Sequence, residues 1–361
     1  MKNIILFLFG FCFLPGHSQD LAVYTDYLDN VQLFDGGEFT ELEHLPLKSY
    51  QIGNTCLGYE DNAENFKIYY NHYTHKINSF VSDYTVTDNL VAFNLNSQLK
   101  VFDQGNTKTL STLVGKYAVG DEMLAFFDRQ QQIFKVYYMG EVFELYDALA
   151  GDEATKFSVG ENIMIYRDNR NHLNLFYQGE IFDLLYEDRA VSYKVGRDMA
   201  AWVEAPMNNF HVFHKGDFIQ LETFEPKSYS IGDGFLAYLD SNDYLKIYDG
   251  EEIITVAFDT PGMYEVIDEM LIYTVQDYFK VHWQGQSYTL ENFKPENYVC
   301  DMNILAWEDE QGNLKVFDRG RIGTISYEDI NTLECHGHTV FYSYGVQSND
   351  IYWHGEIYTG E

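Results

Sequence analysis

The stretch "LAWEDEQGNLKVFDRG", Leu305 to Gly320, is a design that the chain repeats. Its first three residues are apolar or aromatic. A polar segment with Gly312 follows, then the alternating run Leu314-Lys315-Val316-Phe317, then a second turn at Gly320. Alternation bounded by Asp, Asn and Gly turns reads as two antiparallel strands joined tightly. Trp307 marks the first strand, and an aromatic residue recurs in the same setting at Tyr24, Tyr59, Phe93, Phe126, Tyr166, Trp202, Tyr238, Tyr273 and Tyr342. Successive intervals are 35, 34, 33, 40, 36, 36, 35, 34 and 35 residues.

Every other position can be counted from this anchor. Two residues later an acid recurs: Asp26, Asp61, Asp128, Asp168, Glu204, Asp240 and Asp309. A strand of the form apolar–Lys–β-branched–aromatic follows, as in "FKIY", "LKVF" and "LKIY", with lysine at 67, 100, 135, 246, 280 and 315. Glycine closes it at 37, 105, 140, 179, 216, 250, 285, 320 and 355, and only the second unit departs, with His72. A further strand follows, such as "EVFEL". Nine residues before the anchor another aromatic opens a short strand such as "YSIG" or "YAVG". Leu333 replaces that aromatic in the last unit. Prolines 46, 226, 261 and 295 fall just before it, where a crossover has no ladder hydrogen bond to donate.

Each unit is thus four short strands in about 35 residues, an antiparallel meander. The longest interval is taken up in the connection "YDALAGDEATK", which identifies the crossover between units. Radial repetition of four-stranded sheets is the β-propeller, and blade-to-blade packing explains middle strands that are apolar on both faces. The expectation is all-β: a single propeller of nine or ten short four-stranded blades. The first unit lacks its innermost strand, and an open, curved array is the alternative topology. Units such as "LAWEDEQGNLKVFDRG" and "LAYLDSNDYLKIYDGE" resemble the TolB-like propeller repeats of exported bacterial proteins, which have a similar aromatic–x–Asp turn and aromatic strand. The likeness spans residues 19–361 and implies the fold and an interaction role.

Residues 1–18 read as a secretory signal peptide. Lys2 supplies positive charge, residues 4–14 are apolar, and Pro15, Gly16 and Ser18 prepare cleavage before Gln19. That apolar run is too short to cross a bilayer. The expectation is export to periplasm, cell surface or medium without transmembrane insertion, as a monomer. The net charge of −33 argues against nucleic acid as a partner and favours cations or basic proteins.

Candidate sites come from departures and recurrences. Cys300 and Cys335 stand where other units carry Val or Ile, as small apolar substitutes or, on neighbouring inner strands, a disulfide pair. "ECHGHT" offers Cys335, His336 and His338 as metal ligands. The end of the third strand carries Tyr70, Tyr138, Tyr177, Trp283 and Trp353, which suit stacking on a sugar or anchoring a partner, or packing between blades. Acidic turns such as "DSND" supply oxygen ligands for calcium but no distal Glu, and turn chemistry accounts for them, so no cofactor is expected. The lysine row reads as stems on aromatics with heads on acids.

G-x-S-x-G, H-E-x-x-H and P-loop motifs are all missing from the chain. Two function classes remain. One is a non-enzymatic exported scaffold binding a protein or glycan. The other is a carbohydrate-active enzyme, a glycoside hydrolase or lyase, with carboxylates in the central channel. Buried carboxylates from three or more blades meeting in a central pocket would favour the enzyme. A bland channel beside an apolar rim patch would favour the scaffold.

Overall fold

The computed structural model describes residues 20–78, 80–148, 156–186 and 190–360. The leader sequence lies outside the described residues. Thirty-nine strands, numbered along the chain, form ten antiparallel sheets. Blade 1 has three strands: β1 (Leu21–Thr25), β2 (Val31–Asp35) and β3 (Glu38–Glu43). Blade 2 has four: β4 (Ser49–Ile52), β5 (Cys56–Glu60), β6 (Phe66–Tyr70) and β7 (Tyr73–Asn78). Blades 3 to 10 repeat that meander, so the ring has ten blades, nine of them four-stranded among the described residues. The anchor aromatics all lie on the second position of the meander, where Tyr59 pairs with Lys67 and Trp307 with Lys315.

The two middle strands of each blade are buried on both faces, as in Ile163–Arg167 and Leu173–Tyr177. Each hydrophobic cluster therefore spans two blades. Met270, Phe279 and Val281 of blade 8, for example, pack on Leu305, Trp307 and Phe317 of blade 9. Outer strands are mostly exposed or half-buried, with one buried residue near the end, as at Leu221 and Leu290.

The anchor, the lysine and the acids form one staple. Glu291 of blade 8 accepts from the Trp307 indole N–H at 3.1 Å and pairs with Lys315 at 2.7 Å, both in blade 9. Lys315 also reaches Asp309 at 3.3 Å. The same staple joins Glu222 to Tyr238, at 2.8 Å, and to Lys246, at 2.9 Å, and joins Glu43 to Tyr59 and Lys67. A β-bulge falls beside the lysine each time, at Phe66/Lys67, Leu245/Lys246 and Leu314/Lys315, and so re-aims the side chain. The turn acids act on backbone. Asp61 Oδ1 accepts from the N–H groups of Ala63 and Asn65 at 2.9 and 2.8 Å, and Asp309 holds Gln311 and Asn313 in the same way. Burial raises the Asp61 pKa, but the bonds from Asn65 and Lys67 outweigh it and hold it at about 2. These turns need no calcium to explain them.

Glycine closes the third strand because that turn has positive φ, as at Gly140 (83°) and Gly320 (79°). His72 adopts φ 59° at this slot, and its ring lies 2.7 Å from Asp35 Oδ2 of blade 1. The ring closes without a strand shared between blades 10 and 1. Thr339 Oγ1 of blade 10 donates to the Leu21 carbonyl at 3.1 Å, Trp353 Nε1 donates to Asp20 Oδ2 at 2.9 Å, and Tyr24 stacks on Phe341.

Candidate functional site: an acidic collar at the channel mouth

The inner strands of blades 2 to 10 surround the central channel. Seven residues before each anchor stands Ile52, Val86, Val119, Val159, Val195, Ile231 or Val266, and all seven line one channel cavity of about 470 Å³. Cys300 and Cys335 continue this apolar wall and line an adjoining cavity of about 550 Å³. The valine-sized slot is therefore a channel wall. Both cysteines are free thiols, and burial holds both well above the usual thiol pKa.

One step along, the chain turns at Gly53, Gly120, Gly160, Gly196 and Gly232. Each of these glycines sits against the corresponding turn of the next blade. A Cβ on Gly160 would lie 2.3 Å from the Gly196 carbonyl oxygen, and one on Gly196 would lie 2.1 Å from that of Gly232. Backbone hydrogen bonds run from turn to turn: Glu122 N–H to Glu161 O at 2.9 Å, Arg197 N–H to Gly232 O at 3.2 Å, Asp233 N–H to Asp268 O at 2.9 Å. The turns thus form a rigid collar around the channel mouth.

The residue five before each anchor projects from that collar. It is Asn54, Asp88, Asp121, Glu161, Arg197, Asp233 and Asp268 in blades 2 to 8. Glu122 and Asp301 add two more carboxylates. Arg197 is the one cation at this slot and is only 28% exposed. Its guanidinium reaches Asp121 at 3.0 Å, Glu122 at 3.1 Å, Asp233 at 3.1 Å, and Glu161. Burial disfavours its charge, yet these four acids, Glu161 foremost, keep it protonated. Burial raises Asp88 and Asp268 to about 7, and the surrounding acids Asp121, Asp233 and Asp301 push in the same direction. Burial also raises Glu161, with Asp233 adding to it, and raises Asp301.

Ligand oxygens of Glu161, Asp233 and Asp268 lie within 4.8 Å of one another. Asp233 Oδ1 and Asp268 Oδ2 are enclosed without a hydrogen-bond partner among the described residues. This all-oxygen donor set is of the kind that hard cations take, but a cation there would share Glu161 and Asp233 with Arg197. Beside the collar a cavity of about 750 Å³ is lined by Asp121, Glu122, Tyr70, Tyr137, Lys108 and Met139, among others.

The residues singled out from sequence fall in several places. Tyr70 lines that cavity and also packs edge-on against Phe102 at 5.7 Å. Tyr138, Tyr177, Trp283 and Trp353 each pack on an aromatic of an adjacent blade: Phe176, Phe213, Phe317 and Phe34. Cys335, His336 and His338 face different partners. His336 lies 3.4 Å from Glu334, and His338 Nδ1 lies 3.0 Å from Asp20. The collar acids escape a reading built on anchors, strand ends and turn glycines, because they stand at none of these but at the slot five before the anchor. Its five carboxylates in nine units were the signal.

Comparison with solved structures finds distant similarities. The chain resembles the computationally designed protein Ika8 (13% identity, 76% of this chain and 96% of that one, TM-score 0.36). It resembles Prp20p of Saccharomyces cerevisiae, studied for its binding to Gsp1p and histones (10% identity, 63% and 80%, TM-score 0.32). It also resembles PorZ, a surface component of the type-IX secretion system of Porphyromonas gingivalis (11% identity, 91% and 56%, TM-score 0.28). No curated protein matches by sequence. A family profile for the ten-bladed β-propeller domain matches residues 16–358, and the chain belongs to that family.

Proposed function

We propose that the protein is an exported, non-enzymatic binding scaffold that receives a basic partner segment at the acidic collar. The observation that carries this reading is the collar itself. Carboxylates from blades 4, 5 and 7 hold one arginine, and those of blades 3, 8 and 9 stand around the same channel mouth, on a collar of turns joined through backbone. Rigid preorganised charge raises on-rate and selectivity for a cationic partner without the cost of ordering a loop. The net charge of −33 acts in the same sense. The signal-like leader and the pattern-level likeness to exported TolB-like propellers support a location outside the cytoplasm.

Affinity capture from envelope or medium tests this, with the wild-type chain beside an Asp88→Asn/Asp121→Asn/Asp268→Asn variant. A partner retained by the first and lost by the second is the expected result. Equal capture by both, or loss of capture only on unfolding, overturns it.

A second reading is favoured by the convergence of raised carboxyls, Asp88 and Asp268, with Asp121 and Glu161 in the 470 Å³ channel cavity. That arrangement suits general-acid chemistry on a glycan. Turnover of a glycan panel that disappears in Asp88→Asn or Asp268→Asn would establish it in place of the first.

A further inference from the structure

Among the described residues blade 1 is one strand short, and the other nine blades define what that strand would be. In a complete blade the anchor strand turns alternate backbone groups toward the inner strand. Glu60 and Cys56 of β5 accept from Lys48 and Gly53 at 3.0 and 2.9 Å, and Leu239 and Phe235 of blade 7 accept from Lys227 and Gly232, both at 2.9 Å. The equivalent positions on β1 are Thr25 and Leu21, with Val23 between them. Thr339 caps Leu21. No strand among the described residues pairs with the edge at Val23 and Thr25.

Space lies on both sides of this edge. A cavity of about 290 Å³ lies among Val23, Thr25, Leu47, Tyr50, Thr332 and Glu334. The 550 Å³ cavity separates the inner strands of blades 2 and 10. Tyr50 reports the same gap. Its counterparts Tyr84, Tyr117, Tyr229 and Tyr264 each bond through the hydroxyl to the inner strand of the preceding blade, at Ser49, Asp83, Ser192 and Ser228. Tyr50 has no such neighbour among the described residues and is 40% exposed.

We propose that this slot binds an extended segment of a partner polypeptide, which adds as the inner strand of blade 1 by β-augmentation. The occupant's chemistry follows from the sister strands. Its first residue carries a hydroxyl for Tyr50, its second is aromatic and its fourth is aliphatic, as in Ser228-Tyr229-Ser230-Ile231. Glu334 in the wall and Asp20 at the channel end disfavour acids within it, and basic flanks complement the charge of the ring. The chain's own upstream residues at these slots are Leu14, Pro15, Gly16 and His17, which lack the hydroxyl, the aromatic ring and the aliphatic side chain of Ser228, Tyr229 and Ile231.

The probe is a labelled peptide with the sequence of Lys227–Gly232, added to the exported chain of residues 19–361. Saturable binding is expected, with amide exchange at Val23 and Thr25 slowed at least about tenfold. N-methylation of the peptide residue equivalent to Ser230 removes the ladder bond to Val23 and weakens binding about tenfold or more. Tyr50→Phe weakens it about fivefold by deleting one hydrogen bond. The proposal is overturned by absence of saturation up to about 1 mM peptide, or by equal binding of the N-methylated peptide. It is also overturned if Val23 and Thr25 are already as protected in the free chain as Gly58 and Glu60, through its own residues or a second copy.

Discussion

Replacing Arg197 with alanine tests the electrostatics of the collar directly. The guanidinium is the shared partner of Asp121, Glu122, Glu161 and Asp233, and 28% of its side chain is exposed. Removing one partner of a largely buried ion cluster costs about 3 kcal/mol or more, because the charges left behind are desolvated and repel one another. With about 2.1 cal/mol/K of unfolding entropy per residue, a ring of this length loses about 4 °C in Tm for 3 kcal/mol. The loss depends on pH with a definite sign. Burial raises Glu122 and Arg197 opposes that rise, so without the arginine Glu122 is pushed further up. Loss of the arginine is felt while Glu122 is charged and disappears once it is protonated, so the cost is smaller at pH 5 than at pH 8. Differential scanning calorimetry of wild type and Arg197→Ala at both pH values reads this out. Arg319→Ala, at an arginine whose side chain is 55% exposed, serves as the control and shifts Tm by less than about 1 °C. Equal losses at pH 5 and pH 8, or no loss at pH 8, would refute the idea that Arg197 holds the collar together.

Asp88 and Asp268 are raised from 3.8 to about 7, so the folded state binds protons that the unfolded chain releases. Their stabilisation is complete below pH 3.8 and is lost as pH rises through 7, with a ceiling of about 4 kcal/mol for either group. His338, raised by its bond to Asp20, loses its contribution in the same direction above pH 6.5. Wild-type Tm is therefore higher at pH 5 than at pH 8, and Asp88→Asn/Asp268→Asn flattens the profile. Gly160→Ala places a methyl 2.3 Å from the Gly196 carbonyl and costs about 3 kcal/mol or more in chemical denaturation, while Gly323→Ala, which meets open space, changes stability by less than about 0.5 kcal/mol. Glu291→Ala leaves the Trp307 indole and Lys315 short of a partner, lowers stability by about 2 kcal/mol, and shifts Trp307 fluorescence in the folded state.

The architecture was legible because each blade carries the same constraints in the same order. An anchor aromatic must fill the space between blades, an acid must tie the turn after it, and glycine must take the positive φ that closes the third strand. His72 shows the limit of that rule, since it takes φ 59° and gains Asp35 as a partner. The collar was harder to read. Carboxylates are so abundant in this chain that no pair stands out by composition, and Asp88 and Asp268 are separated by 180 residues. Only the common register relates them, and only closure of the ring sets them facing one channel. The rim aromatics carry two readings in the sequence, stacking on a ligand or packing between blades, and the packing contacts are present in the structure. Trp283 and Trp353 are where alternation places them, but the next blade arrives on top of them.

The junction of blades 10 and 1 has a mechanical consequence. Every other pair of neighbouring blades is joined by the polypeptide itself, which passes from one outer strand to the next inner strand. At this junction side chains alone make the connection: Thr339, Trp353 and His338 on Leu21 and Asp20, and Phe341, Ile351 and Tyr358 packed against Tyr24 and Phe34. Tension applied around the ring therefore concentrates at one side-chain seam, and the molecule would uncoil from it into a linear string of blades before any single blade comes apart.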